Sequence, residues 1–99
     1  MTKKIKLGTI TFGDQKKFVL IAGPCVIESE KEALFHARAI KKICTELRIP
    51  YVFKASYDKA NRSSVAAYRG PGITRGLAIL ERVKKEINVP VVTDVHTVH

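Results

Sequence analysis

The residues best equipped for chemistry form one run, Lys54-Ala55-Ser56-Tyr57-Asp58-Lys59-Ala60-Asn61-Arg62-Ser63-Ser64, directly after the apolar Tyr51-Val52-Phe53. Lysine contributes a point charge, arginine a planar fork that matches phosphate oxygens in pairs, and Asn and Ser directional hydrogen bonds. Together they suit an anionic ligand. A solvated basic loop uses the same residue types, so composition alone does not separate the two readings. Position favours the ligand, because α/β sheets bind at the carboxyl ends of their strands. A lysine buried there without a partner would cost several kcal/mol or be driven neutral.

Two more segments place chemistry after apolar runs. Cys25 follows Ile21-Ala22-Gly23-Pro24, with Glu28 and Ser29 just beyond it. As a small apolar residue it needs no role; as a thiolate it is a soft ligand for iron or zinc, or a nucleophile. Asp94, His96 and His99 follow Val91-Val92-Thr93. Asp94 reads either as the partner of one of the lysines or as a helix-starting cap. His96 and His99 are three apart, and read either as ordinary polar side chains or as a metal pair. In a parallel α/β sheet all three segments share one rim.

The elements that would position them follow from periodicity. Residues 5 to 20 read as a hairpin, with Ile5, Leu7, Thr9 and Thr11 alternating and Gly13-Asp14-Gln15 as its turn. Phe18-Val19-Leu20-Ile21-Ala22 begins a first buried strand. Ser29 with Glu32 matches a capping box, and Ala33, Leu34, Ala37, Ile40, Ile43, Cys44 and Leu47 recur on one helical face. Cys44 is a core residue in this pattern. Ile49-Pro50 ends that helix and opens a second strand at residues 51 to 55. After the turn segment Arg69-Gly70-Pro71-Gly72, a second helix turns Ile73, Leu77, Leu80, Val83 and Ile87 inward. Val89-Pro90 opens a third strand, residues 91 to 95.

Continuous apolar strands alternating with helices predict a parallel sheet with right-handed crossovers. Two helices cannot cover such a sheet. The strand spacing extrapolates to the roughly 250 residues of an eightfold barrel, so residues 1 to 99 read as a hairpin plus the first three β/α units of a single, truncated (β/α)8 domain. The 45% apolar content fits a globular chain. No run reaches the roughly 18 apolar residues of a membrane span. The basic N-terminus lacks the apolar core and cleavage site of a signal peptide. Two cysteines without zinc or redox spacing suit a reducing cytoplasm. The net charge of +9 admits nucleic acid as a partner. However, much of it sits on helix faces such as Lys41-Lys42 and Lys84-Lys85, and no nucleic-acid-binding signature accompanies it.

Four segments carry a resemblance: Ile21-Ala22-Gly23-Pro24-Cys25-Val26-Ile27-Glu28-Ser29, the run from Phe53 to Ser64, Tyr68-Arg69-Gly70-Pro71-Gly72, and Thr93-Asp94-Val95-His96. From about Phe18 to His96 the chain resembles the 3-deoxy-D-manno-octulosonate 8-phosphate synthases. The first segment is shared with the sibling 3-deoxy-D-arabino-heptulosonate 7-phosphate synthases, which use erythrose 4-phosphate. The Lys54-to-Ser64 run separates the two, since the siblings carry a K-P-R-T-type sequence there. The resemblance implies a cytoplasmic, typically homotetrameric (β/α)8 barrel. It condenses phosphoenolpyruvate with D-arabinose 5-phosphate for lipopolysaccharide synthesis, with neither nucleic acid nor membrane as partner. It implies that Lys54, Ser56 and Lys59 face phosphoenolpyruvate and that Asn61, Arg62 and Ser63 face the pentose phosphate. Asp94 lies among substrate groups and lysines, and His96 near the reacting centre, so that Lys59, Asp94 and His96 form the catalytic set. Cys25 places the chain with the metal-dependent branch, in which Cys replaces Asn and binds iron, zinc or manganese. The other ligands of that branch, a His, a Glu and an Asp, come from later strands. A basic binding module remains the non-enzymatic alternative.

Overall fold

The computed structural model describes residues 5–13, 18–58 and 70–95. A hairpin of β1 (Ile5–Leu7) and β2 (Ile10–Phe12) comes first, with Ile5 opposite Phe12 and Leu7 opposite Ile10. Its turn is Gly8-Thr9, with Gly8 at φ 61°, the left-handed backbone that a two-residue hairpin loop demands. The expected turn at Gly13-Asp14-Gln15 is therefore displaced toward the N-terminus. Gly13 follows β2, and residues 14–17 lie outside the described residues.

Three strands form a parallel sheet in the order β3 (Leu20–Ala22), β4 (Tyr51–Lys54), β5 (Val91–Val92). Leu20 pairs with Tyr51, and Phe53 with Val91. Two helices connect them: α1 (Glu30–Leu47), and α2 (Ile73–Val83), which runs on into a π-helical turn at Lys84–Asn88. The parallel α/β arrangement is as the alternation predicts. No closed barrel is formed by the described residues, and β3 and β5 are its two edges.

α1 begins where the capping pattern places it. Ser29, in extended backbone, accepts a hydrogen bond from the Glu32 amide at 3.1 Å, which satisfies one of the helix's unpaired donors. It ends at Arg48, whose left-handed φ of 57° lets its own amide reach Thr45 O (3.2 Å) and that of Ile49 reach Cys44 O (2.8 Å). This is the paired Schellman ending, here with Arg where Gly is usual. The π-helical turn ends on Asn88, again at φ 57°, and Lys41 of α1 donates to the free carbonyls of Ile87 (2.5 Å) and Asn88 (3.1 Å). A cation at a helix C-terminus complements the partial negative charge there. Both connectors then pass through Ile49-Pro50 or Val89-Pro90. The proline carbonyls accept from the preceding strand, Leu20 N to Pro50 O and Phe53 N to Pro90 O, each at 2.9 Å.

The core lies between the helices and one face of the sheet. Tyr51, Phe53 and Ala55 meet Ala33, Ala37, Cys44, Ile79, Leu80 and Val83 there, all nearly inaccessible. Cys44 is the core thiol expected, and burial raises its pKa. Tyr51 is likewise raised, by burial and then by Cys44, and its hydroxyl donates to Ala22 O at 2.8 Å. Four helix residues expected inward are not: Ile43 and Leu47 of α1 and Ile73 and Leu77 of α2 are exposed. The buried line of α2 runs instead through Gly76, Ile79, Leu80 and Val83. The opposite sheet face bears the buried Val52 at its centre, while Ile21, Lys54 and Val92 around it are exposed, and no helix packs over it among the described residues.

Candidate active site at the strand ends

The carboxyl ends of β3, β4 and β5 converge as the sequence predicts, and backbone geometry explains why. Beyond β3 the chain stays beside β4: Ser56 N donates to Cys25 O (3.4 Å), Ile27 N to Ser56 O (2.9 Å), and Val26 and Ser56 form an isolated parallel bridge. The approach is close enough to dictate a residue type. A Cβ on Gly23 would stand 1.9 Å from Lys54 O, so only glycine lets the end of β3 lie against this backbone.

Strand alternation then sorts the side chains. Phe53 and Ala55 enter the core, while Lys54 and Ser56 belong to the other face. Lys54 pairs with Val92, and the same register two residues on sets Ser56 opposite Asp94. There the Ser56 hydroxyl donates to Asp94 Oδ1 at 2.5 Å. Ser56 is the one buried polar residue among those described, 1% exposed. A hollow of about 240 Å³ is lined by Gly23, Pro24, Cys25, Lys54 and Ser56. Two larger hollows lie at the hairpin and between α1 and the π-helical turn, away from the strand ends.

Of the residues expected to act, Cys25, Lys54, Ser56 and Asp94 are thus brought to one rim. Lys54 is exposed and makes no ion pair among the described residues, so no burial of its charge has to be offset. Asp94 accepts a hydrogen bond from the Ser56 hydroxyl. Lys59, Asn61, Arg62, Ser63 and His96 lie outside the described residues. His36 was not singled out by any sequence pattern. Its Nδ1 is buried with no hydrogen-bond partner among the described residues, and it shares a 150 Å³ hollow with Cys25 and Glu28. An unsatisfied buried nitrogen is a tertiary property, invisible in periodicity.

Cys25 is an exposed free thiol at the rim, which suits a metal donor. Yet no three His, Cys, Asp or Glu among the described residues are placed to hold a metal ion. The rim offers one soft donor and not a complete site.

Comparison with known proteins defines the lineage. The profile described as "DAHP synthetase I family" matches residues 2–99. The chain belongs to this family. Among relatives, the 2-dehydro-3-deoxyphosphooctonate aldolase of Fusobacterium nucleatum subsp. nucleatum is 57% identical over 93 residues, 94% of this chain and 34% of that protein. The protein of the same name from Legionella pneumophila strain Corby is 60% identical over 84 residues, 85% of this chain and 31% of the relative. That of Koribacter versatilis is 55% identical over 96 residues, 97% and 34%. The chain spans about a third of the length of the relatives it matches. The family's barrel architecture agrees with the parallel β/α succession seen here. No helix among the described residues is long and apolar enough to cross a membrane.

Proposed function

We propose that this chain is the N-terminal third of a synthase that joins phosphoenolpyruvate to D-arabinose 5-phosphate. The products would be 3-deoxy-D-manno-octulosonate 8-phosphate and inorganic phosphate. The observation that carries the reading is the 55–60% identity to proteins named 2-dehydro-3-deoxyphosphooctonate aldolase, and the Lys54-to-Ser64 run, on which the resemblance to the octulosonate synthases rests, agrees with it. In the reaction, C3 of phosphoenolpyruvate forms a bond to the aldehyde carbon, and the aldehyde oxygen takes up a proton. Water adds at C2 and gives up a proton, and the C2–O bond to phosphate breaks.

Two substrate phosphates and one carboxylate need cations, and the Lys54-to-Ser64 run carries them. Lys54 and Lys59 hold phosphoenolpyruvate. Arg62, with Asn61 and Ser63, grips the pentose phosphate through the two-point match of guanidinium to phosphate. Asp94 and His96 stand by the reacting carbons, where a carboxylate and an imidazole can orient water and hold its proton. Cys25 would be one ligand of an iron, zinc or manganese ion whose remaining donors lie beyond this chain. When bound, such an ion supplies Lewis-acid polarisation of the aldehyde oxygen. Cytoplasmic location, a homotetrameric parent and a place in lipopolysaccharide synthesis accompany the reading.

The test is phosphate release by the whole protein that carries these residues, with phosphoenolpyruvate and either D-arabinose 5-phosphate or D-erythrose 4-phosphate. Turnover with the five-carbon sugar and little with the four-carbon one is expected. The reverse preference would make the protein the sibling enzyme, and turnover with neither sugar would sink the synthase reading.

A further inference from the structure

Three glycines that follow the stretch from Lys59 to Arg69 close on Tyr57, just ahead of it. Tyr57, 4% exposed, continues the core-facing line of Phe53 and Ala55. Its carbonyl accepts from Gly72 N at 3.0 Å, and Gly72 O accepts from Gly76 N at 2.9 Å, so α2 begins directly against Tyr57. A Cβ on Gly76 would overlap Tyr57 Cβ, and one on Gly70 would overlap Tyr57 O and stand 2.9 Å from Val26 Cγ2. The carbonyl and the Cβ of Tyr57 move only with its backbone, so at these two positions the contact admits glycine alone. The chain leaves the sheet after Tyr57 and comes back to it at Gly70, beside the bridge of Val26 with Ser56.

We propose that Gly70, Gly72 and Gly76 are positioning residues: by closing on Tyr57 they pin the two ends of the 59–69 stretch together at the rim. They thereby help to set where Asn61, Arg62 and Ser63 meet the pentose phosphate. The role of those three side chains rests on the synthase reading; the clamp on Tyr57 does not. Holding two ends of a chain together removes conformations from whatever lies between them. That matters most for a planar guanidinium, whose two-point match to phosphate is directional. Displacement by about an ångström is enough to spoil a positioned contact. A methyl group at residue 76 would push the first turn of α2 off Tyr57 and carry Gly72 with it. Lys54 and Ser56 stand on the strand side of Tyr57, so their places depend on the sheet and not on the clamp.

The test uses the whole protein and compares wild type, Gly76→Ala and, as a destabilised control remote from Tyr57, Ser29→Ala. Hydrogen exchange at the residue 72 amide reports the clamp itself, and steady-state kinetics with each substrate varied report its effect. In Gly76→Ala the residue 72 amide should lose protection, and KM for D-arabinose 5-phosphate should rise about tenfold or more. KM for phosphoenolpyruvate should rise several times less, because Lys54 and Ser56 stay in place. Ser29→Ala should keep the protection and both constants. Unchanged protection in Gly76→Ala would overturn the clamp. Unchanged KM for the pentose phosphate, equal rises for both substrates, or the same rise in Ser29→Ala would overturn the positioning role. Should Gly76→Ala fail to fold, Gly72→Ala takes its place: a Cβ there meets nothing within 4 Å among the described residues, and only its φ of 86° is strained. The same split at smaller size is expected, and an unchanged KM for the pentose phosphate would overturn the role. If wild type turns over neither sugar, the synthase reading fails and the positioning role with it, while exchange at residue 72 still decides whether the clamp exists.

Discussion

Cys25 is exposed at the rim while Cys44 is sealed in the core, so two identical side chains have opposite chemical prospects. Cys25→Ser should leave the fold intact but weaken metal retention in the whole protein, because a hydroxyl is the poorer ligand for soft or borderline ions. Metal content after dialysis against a chelator measures this; equal retention by the variant would remove Cys25 from the ligand set. Arg62→Ala should raise KM for D-arabinose 5-phosphate at least tenfold and that for phosphoenolpyruvate much less. The motive is the loss of a two-point phosphate contact. Steady-state kinetics with each substrate varied decide it, and parallel shifts in both constants would misplace Arg62. At this scale the sequence was informative about residue types and poor about partners. That Cys25, Lys54, Ser56 and Asp94 share a rim followed from strand–helix alternation. That Asp94 meets Ser56 did not, because register comes from backbone hydrogen bonds that no side-chain pattern reports.

Among the elements, α1 shows what local rules specify. Its start is written in Ser29 and Glu32 and is found there. Ser29→Ala should lower stability of the whole protein by about 1 kcal/mol, the usual worth of an N-cap, as read from denaturant unfolding; no change would mean that tertiary packing alone fixes this end. The helix's outer face is laced to its neighbour through Arg82, which reaches Glu30 at 3.4 Å and Glu86 at 2.8 Å. Exposed pairs of this kind contribute little each. Apolar periodicity misjudged Ile43, Leu47, Ile73 and Leu77 for a physical reason. A 3.6-residue repeat defines a stripe wider than the strip of sheet beneath it, so residues on the stripe's flank share the pattern without the burial. The hairpin turn was misjudged because Gly8-Thr9 and Gly13-Asp14 are both acceptable turn chemistry. Only the cross-strand pairing of Leu7 with Ile10 selects between them.

At the scale of the whole molecule, three parallel strands with two open edges are covered by helices on one face only. Parallel sheets are normally buried on both faces, and open apolar edges invite association between chains. The 99-residue chain alone should therefore show no sharp monomeric unfolding transition in urea and no condensation activity. Near-UV circular dichroism, urea titration and phosphate release test both halves; a cooperative monomer or sustained turnover would refute the corresponding half. The repeated connectors, Arg48-Ile49-Pro50 and Asn88-Val89-Pro90, carry one last consequence. They start successive strands in the same way, yet Val91 pairs with Phe53 and not with the equivalent Tyr51. The floor of the sheet thus rises by two residues, about 6.5 Å, like a stair tread from β4 to β5. Counted from their prolines, Lys54 and Asp94 occupy the same step; measured by height, Asp94 stands one flight up, beside Ser56. Because the rise is even, each side chain keeps its face. One residue added to the second connector would turn Asp94 into the core and Thr93 onto the rim.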